Sequence, residues 1–66
     1  MSKITIDFQT NSASFEEDFE FEVAEVLSRA NSAFRNAGTG EGERITVPLR
    51  DTNGNKVGSI TIDRRD

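Results

Sequence analysis

Cysteine, histidine, tryptophan and tyrosine are all absent from this chain, and proline occurs once, at position 48. Each absence closes a route. Without cysteine there is no disulfide to reinforce a small fold, and without cysteine or histidine the usual structural zinc sites cannot form. No stretch approaches the ~20 apolar residues of a membrane span. Residues 1–5 (MSKIT) lack the apolar run of a signal peptide, so the expected address is cytoplasmic. At 66 residues the chain is expected to form one domain over 1–66. That length lies below the ~70–80 residues at which a single core becomes comfortably stable, so extra stability is expected from self-association or a partner.

The supply of catalytic groups is poor. Acid–base and nucleophilic chemistry draws mostly on histidine, cysteine, lysine, serine or paired carboxylates in a sheltered cleft. The only lysines are Lys3 and Lys56, and neither adjoins an apolar run that would desolvate it. The glycine-rich stretch Gly38-Thr39-Gly40-Glu41-Gly42 has the wrong context for cradling phosphate, which needs a helix N-terminus after it and a lysine within it. Asp51-Thr52-Asn53-Gly54-Asn55 opens like a calcium loop, but its twelfth position is Ile62 where a bidentate glutamate is required. A β-turn is the expected reading. No catalytic residue, metal or cofactor is therefore expected, and the chain reads as a non-enzyme.

Periodicity supplies the architecture. Ile4, Ile6 and Phe8 alternate with Lys3, Thr5 and Asp7, which marks a strand over 3–9 with one apolar face. Ser14-Phe15-Glu16-Glu17 has the spacing of a capping box and places a helix start there. At ~100° per residue, Phe15, Phe19, Val23, Val26, Leu27, Ala30, Ala33, Phe34 and Ala37 share one broad stripe, the expected core face. Gly38 stops the helix, 38–43 reads as a flexible glycine-rich loop, and 64–66 as a disordered tail. A competing reading makes 19–23 an alternating strand.

Asn53-Gly54, set between alternating Ile45, Val47, Leu49 and Gly58, Ile60, Ile62, signals a hairpin. Centring on it pairs Ile45 with Ile62, Val47 with Ile60 and Leu49 with Gly58. Pro48 has no amide proton and suits an edge strand, so the third strand is expected in the centre. An antiparallel first strand then pairs Ile4 with Ile62 and Ile6 with Ile60, and sets Phe8 over Gly58. The expected fold class is α+β: one β-α-β-β domain with a three-stranded antiparallel sheet in order 1-3-2 and one helix on one face. Leu27 and Ile60 are expected in its core.

The formal net charge of −4 is unevenly placed. Between 14 and 37, six acids (Glu16, Glu17, Asp18, Glu20, Glu22, Glu25) face two bases (Arg29, Arg35), whereas the remainder balances. Phe21 breaks the helical pattern. It projects about 180° from the centre of the stripe, among Glu17, Asp18, Ala24, Glu25 and Ser28. It can fold over a loop, pack in a homodimer, or anchor a foreign partner, and the sequence leaves the three open.

The leading functional expectation is a non-enzymatic module that uses Glu17, Asp18, Phe21, Glu25 and Ser28 to bind a basic protein surface. In composition the chain resembles the small inhibitor and decoy proteins of phages and mobile elements, some of which imitate nucleic-acid charge. The resemblance implies occupation of a partner's nucleic-acid site. The alternative is a self-associating assembly subunit that uses its open sheet face or edge strands. Direct nucleic-acid binding through Arg44, Arg50, Lys56, Arg64 and Arg65 is least favoured, because acids share that stretch and no exposed aromatic accompanies it.

Overall fold

The computed structural model describes residues 2–65, so the tail expected at 64–66 falls, for Asp66, outside the described residues. The elements follow in the order β1 (Lys3–Phe8), α1 (Ser14–Glu17), α2 (Phe19–Ala37), β2 (Arg44–Arg50) and β3 (Lys56–Asp63). The three strands form one antiparallel sheet in the order β1-β3-β2. Residues 19–23 are helical, so the competing strand reading falls away.

The pairing follows the side-chain alternation. Ile4 faces Ile62 and Ile6 faces Ile60 on one side of β3, and Ile45 and Val47 face the same two residues on the other. On the opposite face Lys3, Asp63 and Arg44 form a charged row, and the Thr46 and Thr61 hydroxyls lie 3.1 Å apart. Leu49 faces Gly58 while Arg50 faces Lys56, which leaves Val57 as the extra residue of a bulge. Strict alternation puts Val57 outside, yet the bulge turns it into the core at 8% exposure. Phe8 crosses Gly58 so closely that a Cβ there would collide with the Asp7 carbonyl and Phe8. Glycine is the residue that approach requires.

The helix departs from expectation in two ways. First, the capping box does not form: Ala13 sits at the N-cap without a side-chain bond, and the Ser14 hydroxyl donates instead to Asp51. The backbone breaks at Asp18 (φ −148°, ψ 89°), whose carboxylate then caps α2 by accepting from the Phe21 amide at 3.1 Å. At the far end Gly38 closes α2 with φ 64°, a left-handed conformation that suits glycine.

Second, the buried stripe is rotated. Phe15, Glu22, Val26 and Ala30 are buried, whereas Leu27 is 46% exposed and Phe19 and Phe34 are comparably open. The expectation that Leu27 lies in the core is corrected. The cause is polar: Glu22, at 3% exposure, accepts from both the Thr52 amide and the Thr52 hydroxyl at 2.8 Å. Arg29, on the same flank, donates to the Asp51 carbonyl at 2.7 Å. These bonds draw α2 over the β2–β3 hairpin and away from β1. Ile4 and Ile6 consequently stay about half exposed, although they pair with buried residues.

Two truncations separate the expected core from the observed one. Ile60→Ala should lower the free energy of unfolding by ~2–5 kcal/mol, as buried large-to-small changes do. Leu27→Ala should cost ~1 kcal/mol or less, close to a surface change. Urea midpoints of the two variants, taken at a concentration low enough to keep the chain monomeric, check this, and equal losses there would put Leu27 back in the core.

Candidate interaction surfaces

Two buried carboxylates are the natural place to look for chemistry. Asp51, fully buried at the end of β2, accepts from the Asn53 and Asn55 amides at 3.0 and 2.8 Å through Oδ1. Its Oδ2 accepts from the Ser12 and Ser14 hydroxyls at 2.9 and 2.7 Å. The Ser14 hydroxyl foremost, then the Asn55 amide and the Ser12 hydroxyl, holds this carboxyl well below the usual carboxylate range, against the opposing effect of burial. Glu22 is spent on Thr52 in the same way. Asp51 is saturated by donors from its own chain, and Glu22, buried, has each of its two oxygens bonded to Thr52, which makes both acids joints between segments. The 51–55 segment closes as a turn, with the Gly54 amide donating to the Asp51 carbonyl at 3.0 Å. Among the described residues no group of acids is arranged to hold a metal ion.

Three of the five expected partner-binding residues come together. Glu17, Asp18 and Phe21 line a shallow groove of ≈ 330 Å³ together with Ser14, Thr52 and Asn53. Glu25 and Ser28 continue along the same side of α2, one and two turns on. Phe21 is 54% exposed. Its ring lies apart from the packed aromatic set of Phe8, Phe15 and Phe19. Among the described residues Glu17, Asp18 and Glu25 make no ion pair. The contribution of Thr52 and Asn53 escapes a sequence reading, because bonds between residues far apart in the chain, Glu22 to Thr52 and Arg29 to Asp51, bring the hairpin turn beside the helix. A charged residue one turn before Val26, on the buried side of the stripe, was the available signal that such a partner exists.

The five basic residues do not gather. Arg50 and Lys56 face each other near the hairpin turn, whereas Arg44, Arg64 and Arg65 lie at the other end of the strands, roughly 20 Å away at 3.4 Å per residue. Most are also engaged: Arg50 donates to the Gly54 carbonyl and Arg64 to the Thr39 carbonyl. Arg65 holds Asp63 through two side-chain bonds, with Arg44 at 3.8 Å. The Arg65 bonds bring the Asp63 carboxyl down to about 2.

On the opposite flank of α2 lies a surface the sequence reading assigned to the core. Ile4, Ile6, Leu27 and Phe34 line an apolar groove of ≈ 260 Å³ above β1, with Ile60 at its floor. Four large apolar side chains side by side on one face exceed the scattered single exposures normal for a monomer.

No helix among the described residues is long and apolar enough to cross a membrane. No protein-family model, curated protein or solved structure matches the chain.

The lowered carboxyls set an acid limit. A group whose folded pKa is depressed stabilises above its unfolded value near ~3.9 and loses that contribution as pH falls toward the folded one. Stability should thus hold from neutral pH to about 5, fall below about 4, and continue falling through the Asp63 value of about 2. Asp51→Asn should be less stable at pH 7 and show a shallower loss toward pH 3. Denaturant midpoints across pH check this, and parallel curves for the two proteins would remove Asp51 as a source of the acid limb.

Proposed function

We propose that the protein is a non-enzymatic binding module that docks on a basic protein surface through the groove and helix face around Phe21. The observation that carries this reading is Phe21 itself: more than half exposed, outside the aromatic cluster, and bordered by three carboxylates that pair with no cation among the described residues. An arginine or lysine from the partner entering the groove meets carboxylate acceptors and the face of the ring, which supplies charge-assisted hydrogen bonds and a cation–π contact. Glu16 and Glu20, also exposed, extend the negative field and favour encounter with a positive surface. A surface of that sign is what nucleic-acid-binding proteins present, so the class of action proposed is occupation of such a site by an acidic decoy.

The self-associating subunit is a second reading, and a separate observation favours it: the apolar groove over β1 is a large exposed patch that the acidic face does not use.

Capture from native-host lysate, with wild-type and variant proteins as bait, tests the first reading. Phe21→Ala should leave the melting temperature nearly unchanged, within the ±0.5 kcal/mol usual for surface changes, while reducing affinity for the captured partner by ~2 kcal/mol or more. Glu17→Lys and Glu25→Lys should weaken binding further, and the wild-type affinity should fall as salt rises, since exposed charges are screened within ~8–10 Å. A partner that binds all three variants like the parent, with no salt dependence, would exclude the acidic face as the docking surface.

A further inference from the structure

We propose that two copies of this chain pair through β1 as a two-fold symmetric dimer, with Lys3 of each copy opposite the partner's Asp7 and one continuous six-stranded sheet. This rests on the self-association reading and adds to it the edge, the register and the symmetry.

The two edges of the sheet are not alike. In an antiparallel ladder the backbone groups of successive residues point alternately to the two sides. The Arg64 amide donates to the Glu43 carbonyl at 2.8 Å, so Ile45, Val47 and Leu49 bond inward to β3, and Arg44, Thr46 and Pro48 point outward. Pro48 offers no N–H, which blocks the centre of that edge. On the other side the Gln9 amide donates to the Val57 carbonyl at 2.8 Å, so Lys3, Thr5 and Asp7 bond inward and Ile4, Ile6 and Phe8 point outward. No proline or bulge interrupts that edge, and β1 is exposed along most of its length. β1 is the edge open to another strand.

Backbone parity and side-chain chemistry select one register. New hydrogen bonds between two β1 strands need Ile4 and Ile6 opposite outward-pointing residues. An antiparallel arrangement centred on Thr5 sets Ile4 opposite the partner's Ile6, and Ile6 opposite the partner's Ile4. The same arrangement sets Lys3 opposite the partner's Asp7 and Asp7 opposite the partner's Lys3. Both opposite-charge pairs and both apolar pairs are of the kind that stabilises a sheet. Moving the register by two residues leaves Lys3 opposite Thr5 or Gln9, and the charges unmatched. A slip by one residue aims an inward-bonded residue at the new strand and turns isoleucine toward the charged face.

The symmetry also covers the groove. A two-fold axis through Thr5, perpendicular to the sheet, keeps both helices on the same face. It turns the Leu27 and Phe34 flank of each α2 toward that of its partner, over a floor formed by Ile4 and Ile6 of both copies. The blocked β2 edges then terminate the sheet, so the assembly closes as a dimer instead of growing into a filament. The shape of the single chain agrees with half an assembly. Its radius of gyration is 12.8 Å against ~11 Å for a compact domain of this length. Its accessible surface is 4643 Å² for 7.3 kDa, where a folded monomer of that mass shows ~4,200 Å². That excess approaches the ~600 Å² each partner contributes to a small specific interface.

Sedimentation equilibrium of the full chain tests the proposal with three variants. The wild type should be dimeric at micromolar concentration. Asp7→Lys places Lys3 opposite a lysine, and Lys3→Asp places Asp7 opposite an aspartate, so each alone should raise the dissociation constant about tenfold or more. Mixed in equal amounts, the two variants should form a heterodimer, because both cross-strand pairs are again of opposite sign. Ile6→Pro should remain folded by circular dichroism, since its amide points away from β3, and should be monomeric. A wild type that stays monomeric at every accessible concentration would overturn both the dimer and the self-association reading. Self-association that survives Ile6→Pro, or single variants that do not recover on mixing, would overturn the β1 register while leaving self-association through another surface standing.

Discussion

The fold turns on two adjacent residues at the end of β2. Asp51 gathers the Ser12 hydroxyl from the β1–α1 connection, the Ser14 hydroxyl from the start of α1 and the Asn53 and Asn55 amides from the hairpin turn, while its carbonyl receives Arg29 from α2. Thr52 gives its amide and hydroxyl to Glu22. Three segments distant in sequence are thus tied at one end of the sheet. A buried carboxylate without partners carries a large desolvation cost, so these bonds are compulsory once the turn is covered. A core of seven buried apolar residues among those described leaves the phase of the helix weakly determined by packing alone, and the polar joint decides it.

Consequences spread from that choice. Because Glu22 and Arg29 face the hairpin, α2 lies over β2 and β3 and contributes Val26 and Ala30, with the partly buried Val23, Ala33 and Ala37, to the core. Its larger apolar residues, Leu27 and Phe34, are carried to the β1 flank, and Phe21 to the opposite one. The molecule therefore has two chemically distinct sides: an acidic one with a single aromatic, and an apolar one beside an open strand edge. The bulge at Val57 compensates in part, adding to the core a residue that regular pairing places in solvent.

These two sides suit different kinds of contact. An apolar flank continuous with a hydrogen-bonding edge matches a permanent, self-complementary neighbour, whereas an acidic groove with a solvated rim matches an exchangeable basic partner that binds faster at low salt. In the proposed dimer the outer flanks of both helices stay free. The two acidic faces would then act together, and linked sites bind a partner carrying repeated basic patches more tightly than either does alone.

Strand pairing was legible in the sequence because side-chain alternation has a period of two and Asn53-Gly54 marks the turn. The order β1-β3-β2, the pairs Ile45–Ile62 and Ile4–Ile62, Pro48 on an edge, and Phe8 over Gly58 all follow from local pattern. The place of Phe21 on the outer side of the helix follows equally from a period of 3.6. Three things did not follow. The Ser14 capping box gives way because Asp51, 37 residues on, is the stronger acceptor for that hydroxyl. Val57 turns inward because a bulge depends on where two strands stop matching. Leu27 and Phe34 face outward because periodicity defines an apolar stripe only to within a turn's width, and which part of it is buried depends on what the helix is tied to. Local sequence determined the elements and their faces. Tertiary structure decided the angle at which one face meets another, since that angle is set by bonds between residues far apart in the chain.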